Sequence, residues 1–162
     1  MSLYFYRYIM VQIPFQLYIN ETLEGNVLLT IGICDDRPLC RHLLEAYIHL
    51  YEEKKGLLFN ISQFGSGEEL LEEVNKHGII FNLLFLDNSM KKLTGLETAK
   101  QIRQSESLST CNIVFVTSAD DYDQFRQVQP LQVVCKPGTQ ERIDEILDKV
   151  LAFFFSSRSL ST

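Results

Sequence analysis

Residues 28–36 read LLTIGICDD: a buried-strand segment, Leu28–Cys34, that stops on two neighbouring carboxylates, Asp35 and Asp36. The same grammar recurs along the chain. Phe81–Leu86 (FNLLFL) is apolar except for Asn82 and stops on Asp87; Asn112–Val116 stops on Thr117; Leu131–Cys135 stops on Lys136-Pro137. A continuous apolar run is what a strand needs when both of its faces are covered. Four strands that each end on a polar residue are the signal from which the rest of the chain can be read.

Between these strands lie segments of helical character. Pro38 stands where a first helical turn tolerates proline. Leu43, Leu44, Tyr47, Ile48 and Tyr51 then recur at helical spacing until Gly56. Leu57–Phe64 reads as a further strand. Ser66-Gly-Glu-Glu69 has the form of a capping box, opening a short helix through about Lys76. Gly95 precedes a helix that turns Leu96, Ala99 and Ile102 inward, and a weak, short helical stretch covers Asp121–Val128. In Gln140–Phe154, the residues Ile143, Ile146, Leu147, Val150, Leu151 and Phe154 form one apolar stripe.

Strict alternation of strand and helix implies an α/β fold: a parallel sheet between two helical layers, joined by right-handed crossovers. In open sheets of this kind the binding crevice lies beyond the carboxyl ends of the strands. Asp35, Asp36, Asp87, Thr117 and Lys136 all fall there, so independent strands deliver them to one rim.

Composition narrows the function. A chain of 162 residues fits one domain, and such a chain buries roughly 70% of its unfolded surface. The net charge of -6, with no basic stripe, argues against direct nucleic-acid binding. Lys54-Lys55 and Lys91-Lys92 read as solvated pairs. Cys34, Cys40, Cys111 and Cys135 show no metal-ligand spacing, and three of them sit in apolar strand-like runs as small hydrophobes, which fits a reducing, cytoplasmic compartment. His42, His49 and His77 read as surface or packing residues on helices. Residues 3–19 are aromatic-rich, yet Arg7, Gln12, Pro14 and Gln16 break them up, so they make neither a membrane span nor a signal peptide.

Three carboxylates brought together repel one another by roughly 4 kcal/mol per pair at 4 Å and an effective dielectric near 20. Such a cluster protonates or recruits cations. Lys136 supplies one positive charge, and an all-oxygen site with room for water suits Mg²⁺. Metal and lysine together would neutralise charge on a phosphoryl group in transfer. Asp87 can then act as nucleophile, giving an acyl phosphate, and Thr117 can donate to a phosphoryl oxygen. Any one aspartate after a strand is ordinarily a turn former or cap. Five compatible residues at five compatible places are not so easily dismissed.

The motifs ICDD (33–36), FLDNSMKKLTG (85–95), FVTSAD (115–120) and CKP (135–137) resemble the receiver domain of two-component response regulators over about residues 28–152. FxSGEELLEE (64–73) and VTSxxxY (116–122) are most similar to receivers attached to LytTR-type DNA-binding modules. The resemblance implies a flavodoxin-like, doubly wound five-stranded parallel sheet of order 2-1-3-4-5. It implies Asp87 as phosphoacceptor and Mg²⁺ held directly by Asp36, Asp87 and the backbone carbonyl of Ser89, with Asp35 acting through a metal-bound water. It makes Thr117 the switch hydroxyl and Lys136 the partner of the acceptor and then of phosphate, and it favours a cis bond before Pro137. The implied partners are a sensor histidine kinase as phosphoryl donor and a second copy, paired through the face of the fourth helix, fifth strand and fifth helix.

The chain departs from the family pattern in places. Lys91 replaces a proline, followed by Lys92 and Leu93. Val133 stands where an aromatic is usual, and a short stretch between Thr117 and Lys136 implies a trimmed fourth helix. Residues 1–26 read as an extension, 27–155 as the receiver and 156–162 as a tail, either of a stand-alone receiver or of one severed from its output. Two rivals accompany this reading. A degenerate receiver would work by contact without phosphorylation. An aspartate-nucleophile phosphatase would want an acid/base aspartate two residues after Asp87, where this chain has Ser89.

Overall fold

The computed structural model describes residues 28–118, 120 and 122–159. The extension at 1–26 therefore lies outside the described residues, as do Asp121, the first residue of the expected fourth helical stretch, and 160–162 of the tail.

Five parallel strands, β1 (Leu29–Cys34), β2 (Phe59–Phe64), β3 (Leu83–Leu86), β4 (Asn112–Thr117) and β5 (Gln132–Cys135), form one sheet in the order β2-β1-β3-β4-β5. The helices are α1 (Pro38–Lys55), α2 (Gly67–His77), α3 (Gly95–Gln104) and α4 (Gln140–Ser159). The expected fold class is the observed one.

Strand alternation sorts the core into two layers. Leu29, Ile31 and Ile33 of β1, Leu83 and Phe85 of β3, and Val114 and Val116 of β4 pack against Leu44, Ile48 and Tyr51 of α1 and Ile143, Leu147 and Val150 of α4. The intervening residues Leu84, Leu86, Ile113 and Phe115 face Leu70 and Val74 of α2, Ala99 and Ile102 of α3, and Phe125. Successive side chains point to opposite faces, so a strand covered on both sides must be apolar throughout. Each fully buried large side chain contributes roughly 1.5–3 kcal/mol. Asn82, the polar exception in its run, sits just before β3 and ties three strands together. Its Oδ1 accepts from Thr30 N–H at 2.8 Å, and its carbonyl accepts from Asn112 N–H at 3.2 Å.

Several local expectations are corrected. Ser66 caps α2 by accepting from Glu69 N–H, but the Glu69 carboxylate reaches back to Gly65 N–H at 2.6 Å, one residue before the position a capping box requires. The full capping box belongs instead to Thr94 and Glu97 at the start of α3. The weak helical stretch is a 3₁₀ helix, Asp123–Val128, anchored by Phe125 stacked on Phe115 at 4.2 Å between centroids. Helix α4 continues past Phe154 to Ser159. Cys135, expected among the buried small hydrophobes, is exposed because β5 is the edge strand.

Candidate functional site

The register of the parallel strands fixes the site. Cys34 pairs with Leu86, and Leu86 with Phe115, so the residues that follow β1 and β3 emerge side by side. Thr117 pairs with Cys135, which sets Thr117 beside Lys136 on the same rim. Asp35, Asp36 and Asp87 each present a carboxylate oxygen within 4.8 Å of the others. Asp35 and Asp87 are buried and Asp36 is half-buried.

Lys136 neutralises this cluster from the far edge. Its Nζ lies 3.0 Å from Asp87 Oδ2 and contacts Asp35 Oδ2 more closely still. The peptide bond between Lys136 and Pro137 is cis, and Lys136 N–H donates to the Thr117 carbonyl at 3.1 Å. The Lys136–Asp35 contact adds a second carboxylate to the pairing with Asp87 that the resemblance implies. Asp35 Oδ1 also accepts from Arg37 N–H at 2.9 Å at the entry to α1, whose N-cap side chain makes no capping bond. Arg41, unforeseen in the sequence, donates to the Asp35 carbonyl at 2.6 Å and to Gln63 Oε1 at 3.1 Å, holding the acidic pair against β2.

The loop after β3 is built to place Asp87. Ser89 N–H donates to Asp87 Oδ1 at 3.2 Å, so Ser89 engages the Asp87 carboxylate through its amide. Asn88 Oδ1 accepts from Leu96 N–H at 3.0 Å, stitching the loop to α3. Gly95 permits the approach: a Cβ there would sit 2.4 Å from the Asp87 carbonyl oxygen. Met90 is buried beneath the loop with its sulfur 3.6 Å from Cys34 Sγ. Burial, with the carboxylates of Glu69 and Asp35 nearby, pushes the Cys34 thiol up to about 12. It therefore stays protonated and is packing, not a competing nucleophile.

The donor set fits a small hard cation. It is all oxygen and sets three carboxyl groups against Lys136 and, at 3.9 Å from Asp35, the exposed Arg37. The Asp87 Oδ2 atom is buried and receives no hydrogen bond, only the charge of Lys136. Carboxylates with access to water are the ligands Mg²⁺ prefers. His42, His49 and His77 take no part; His49 pairs with Glu52 at 2.5 Å, and His77 with Glu73 at 2.9 Å.

The chain and its fold are similar to known proteins. The Response regulator receiver domain family matches residues 31–148. The sensory transduction protein LytT of Oceanobacillus iheyensis is 26% identical over 121 residues, covering 74% of this chain and 47% of that protein. The autoinducer 2 sensor kinase/phosphatase LuxQ of Vibrio vulnificus is 25% identical over 124 residues, 74% of this chain and 13% of that protein. The chain thus spans half or less of the length of these curated relatives. The fold of the chemotaxis protein CheY4 of Vibrio cholerae superposes with a TM-score of 0.66 at 18% identity, covering 76% of this chain and 99% of that one. With the match running from the middle of β1 into α4, the chain belongs to the response regulator receiver domains of two-component signalling.

Proposed function

We propose that this receiver takes a phosphoryl group from a phosphohistidine of a sensor histidine kinase onto Asp87, and that Mg²⁺ is its cofactor. A carboxylate oxygen of Asp87 forms the new P–O bond while the P–N bond to the donor imidazole breaks, its electron pair returning to the leaving nitrogen. Mg²⁺, held by Asp36 and Asp87 with the Ser89 carbonyl and by Asp35 through a metal-bound water, would supply positive charge to the phosphoryl oxygens. Lys136 offsets the negative charge of the acceptor before transfer and of the phosphate after it. Thr117 donates its hydroxyl to a phosphoryl oxygen.

The observation that carries this reading is the burial of Asp87 between a lysine at 3.0 Å and two further carboxylates within 4.8 Å. Ser89, where a phosphatase of this type keeps its acid/base aspartate, speaks for a phosphate stored and not turned over on other substrates. Phosphorylation would then act at the face formed by the 3₁₀ helix, β5 and α4, the surface offered to a second copy. Thr117 lies in register with β5 and next to that face. A cytoplasmic location suits a kinase partner and four free cysteines.

Incubation with acetyl phosphate and Mg²⁺, followed by intact-mass spectrometry, tests the reading. One added phosphoryl group is expected in the wild type and none in Asp87→Asn. An unmodified wild type would favour a receiver that signals by contact alone, as Val133 in place of an aromatic would suit.

A further inference from the structure

The loop that leaves β3 closes on itself. Gly95 lies against the Asp87 carbonyl and donates its N–H to the Asn88 carbonyl at 3.4 Å, so residues 88–94 leave Asp87 and return to it. The first limb is well tied. Ser89 bonds to Asp87, Asn88 bonds to Leu96, and Met90 is buried against Cys34. The second limb, Lys91–Leu93, has less to hold it. Lys91 and Lys92 are exposed. Among the described residues this limb makes one hydrogen bond to another element: Leu93 N–H donates to Glu68 Oε1 of α2 at 3.3 Å.

Glu68 is half-buried and stands on a rigid mount. Ser66 caps α2 through Glu69 N–H, and the Glu69 carboxylate accepts from Gly65 N–H. Gly67 lets the first turn of α2 press on the loop, since a Cβ there would meet Thr98 Oγ1 at 2.1 Å and Leu93 Cβ at 3.2 Å. Thr98 is itself buried and donates to the Thr94 carbonyl at 2.9 Å. The same segment also touches the acidic pair, because Asp35 N–H donates to the Phe64 carbonyl at 3.2 Å. Residues 64–68 therefore hold a contact to each side of the site.

We infer that Glu68 is a positioning residue for the Mg²⁺ site, fixing the loop that carries Ser89 by its reach more than by its charge. Only one of its oxygens is used: Oε2 is buried and receives no hydrogen bond. The contact thus needs an acceptor at the length of a glutamate, not a second anionic oxygen. A loop ordered before the ion arrives has less freedom to lose on binding, which tightens binding. The affinity role rests on the assignment of Mg²⁺ and Ser89 proposed above; the hold on the loop does not.

Two measurements on the full chain test this: hydrogen exchange of the metal-free protein, read by mass spectrometry on peptides covering residues 88–95, and calorimetric titration with MgCl₂. Glu68→Ala, and Glu68→Asp, which keeps the charge one methylene short of Leu93, should each speed loop exchange by at least about tenfold and weaken Mg²⁺ binding by about the same factor. Glu68→Gln, which keeps the reach without the charge, should stay within about threefold of the wild type in both. Labelling of Glu68→Asp by acetyl phosphate should reach the wild-type maximum rate, but only at about tenfold higher Mg²⁺. Peptides from α2 and β3 report the fold. Should they lose protection in Glu68→Ala, Glu68→Asp decides, because an acid is favourable in a first helical turn. Wild-type loop exchange in Glu68→Asp would overturn the inference, as would losses confined to Glu68→Gln, which would assign the effect to charge. Equal Mg²⁺ affinity in the wild type and all three variants would overturn the affinity role alone. A wild type that binds no Mg²⁺ would overturn the proposed site, and the affinity role with it.

Discussion

Lys136 Nζ stands 3.0 Å from Asp87 Oδ2, with the lysine side chain 9% exposed and the aspartate 1%. At that burial the pair is poorly screened, and removing one member of a buried pair typically costs about 3–5 kcal/mol, because the other charge is stranded. Lys136→Met strands two charges, Asp87 and Asp35. Its Tm in chelator should therefore fall well below that of the wild type. The double variant Lys136→Met/Asp87→Asn should recover part of the loss, and added Mg²⁺ should stabilise the single variant by mass action. Additive losses in thermal unfolding would show that the two groups do not interact.

Gly95 sets the distance between the Asp87 loop and α3. The atoms a Cβ would meet are the Asp87 carbonyl oxygen at 2.4 Å, its carbon at 2.8 Å and Asn88 Cα at 3.0 Å, all of them backbone. No rotamer change can relieve such a clash, so the loop itself must move. Gly95→Ala should destabilise the chain by about 1–3 kcal/mol, as overpacking does. Labelling of Asp87 by acetyl phosphate should fall by more than the folded fraction does. Urea unfolding and mass spectrometry on one preparation separate the two effects, and equal losses would mean that the loop position is unimportant.

What the sequence disclosed follows from what each element depends on. The strands were legible because a doubly covered strand must be apolar throughout, and α1 and α4 because one face of each is buried over several turns. The rim residues were legible because polar groups closing apolar runs have one place to go. The individual bonds within that rim were not. Bringing Lys136 to the carboxylates does not say that it will touch Asp35, 101 residues away, as well as Asp87, and no periodicity announces that Arg41 will hold the Asp35 carbonyl. Local signals also competed. Ser66 and Glu69 have capping-box spacing, but the Gly65 N–H offered the Glu69 carboxylate a partner one residue earlier. The real box at Thr94 and Glu97 carries the same Thr-x-x-Glu spacing, so the sequence offered two candidates and spacing alone could not say which would close.

The cysteines differ in ways the sequence hid. Cys111 is buried, and that burial pushes its thiol up to about 12, whereas Cys135 is exposed on the edge strand. The thiolate is the reacting species. At pH 8, iodoacetamide should therefore modify Cys135 first and leave Cys111 and the buried Cys34 untouched until the chain unfolds. Peptide mapping after timed alkylation reads this order directly. Early modification of Cys111 would show that the start of β4 opens far more readily than its packing allows.

Tyr51 makes the last prediction one about pH. Its ring is buried between α1 and β2, and its hydroxyl donates to Asp148 Oδ1 of α4 at 2.6 Å. Burial first, and the Asp148 carboxylate second, hold the phenol protonated far above its ordinary range near 10. Above about pH 10 the unfolded chain releases this proton while the native chain retains it, so the unfolded state binds fewer protons and stability falls as pH rises. The stabilisation is fully present below that point, and each further pH unit removes up to about 1.4 kcal/mol. Tyr51→Phe should cost about 1.5 kcal/mol at pH 8 through the lost bond to a charged acceptor, a cost limited because Asp148 keeps Lys55 at 3.3 Å. Between pH 10 and 11 the variant should then lose less stability than the wild type, since it has no phenol to ionise. Urea unfolding of both proteins at pH 8, 10 and 11 measures the difference. Parallel curves across that range would mean that the Tyr51 hydroxyl is not held by Asp148 in the native chain.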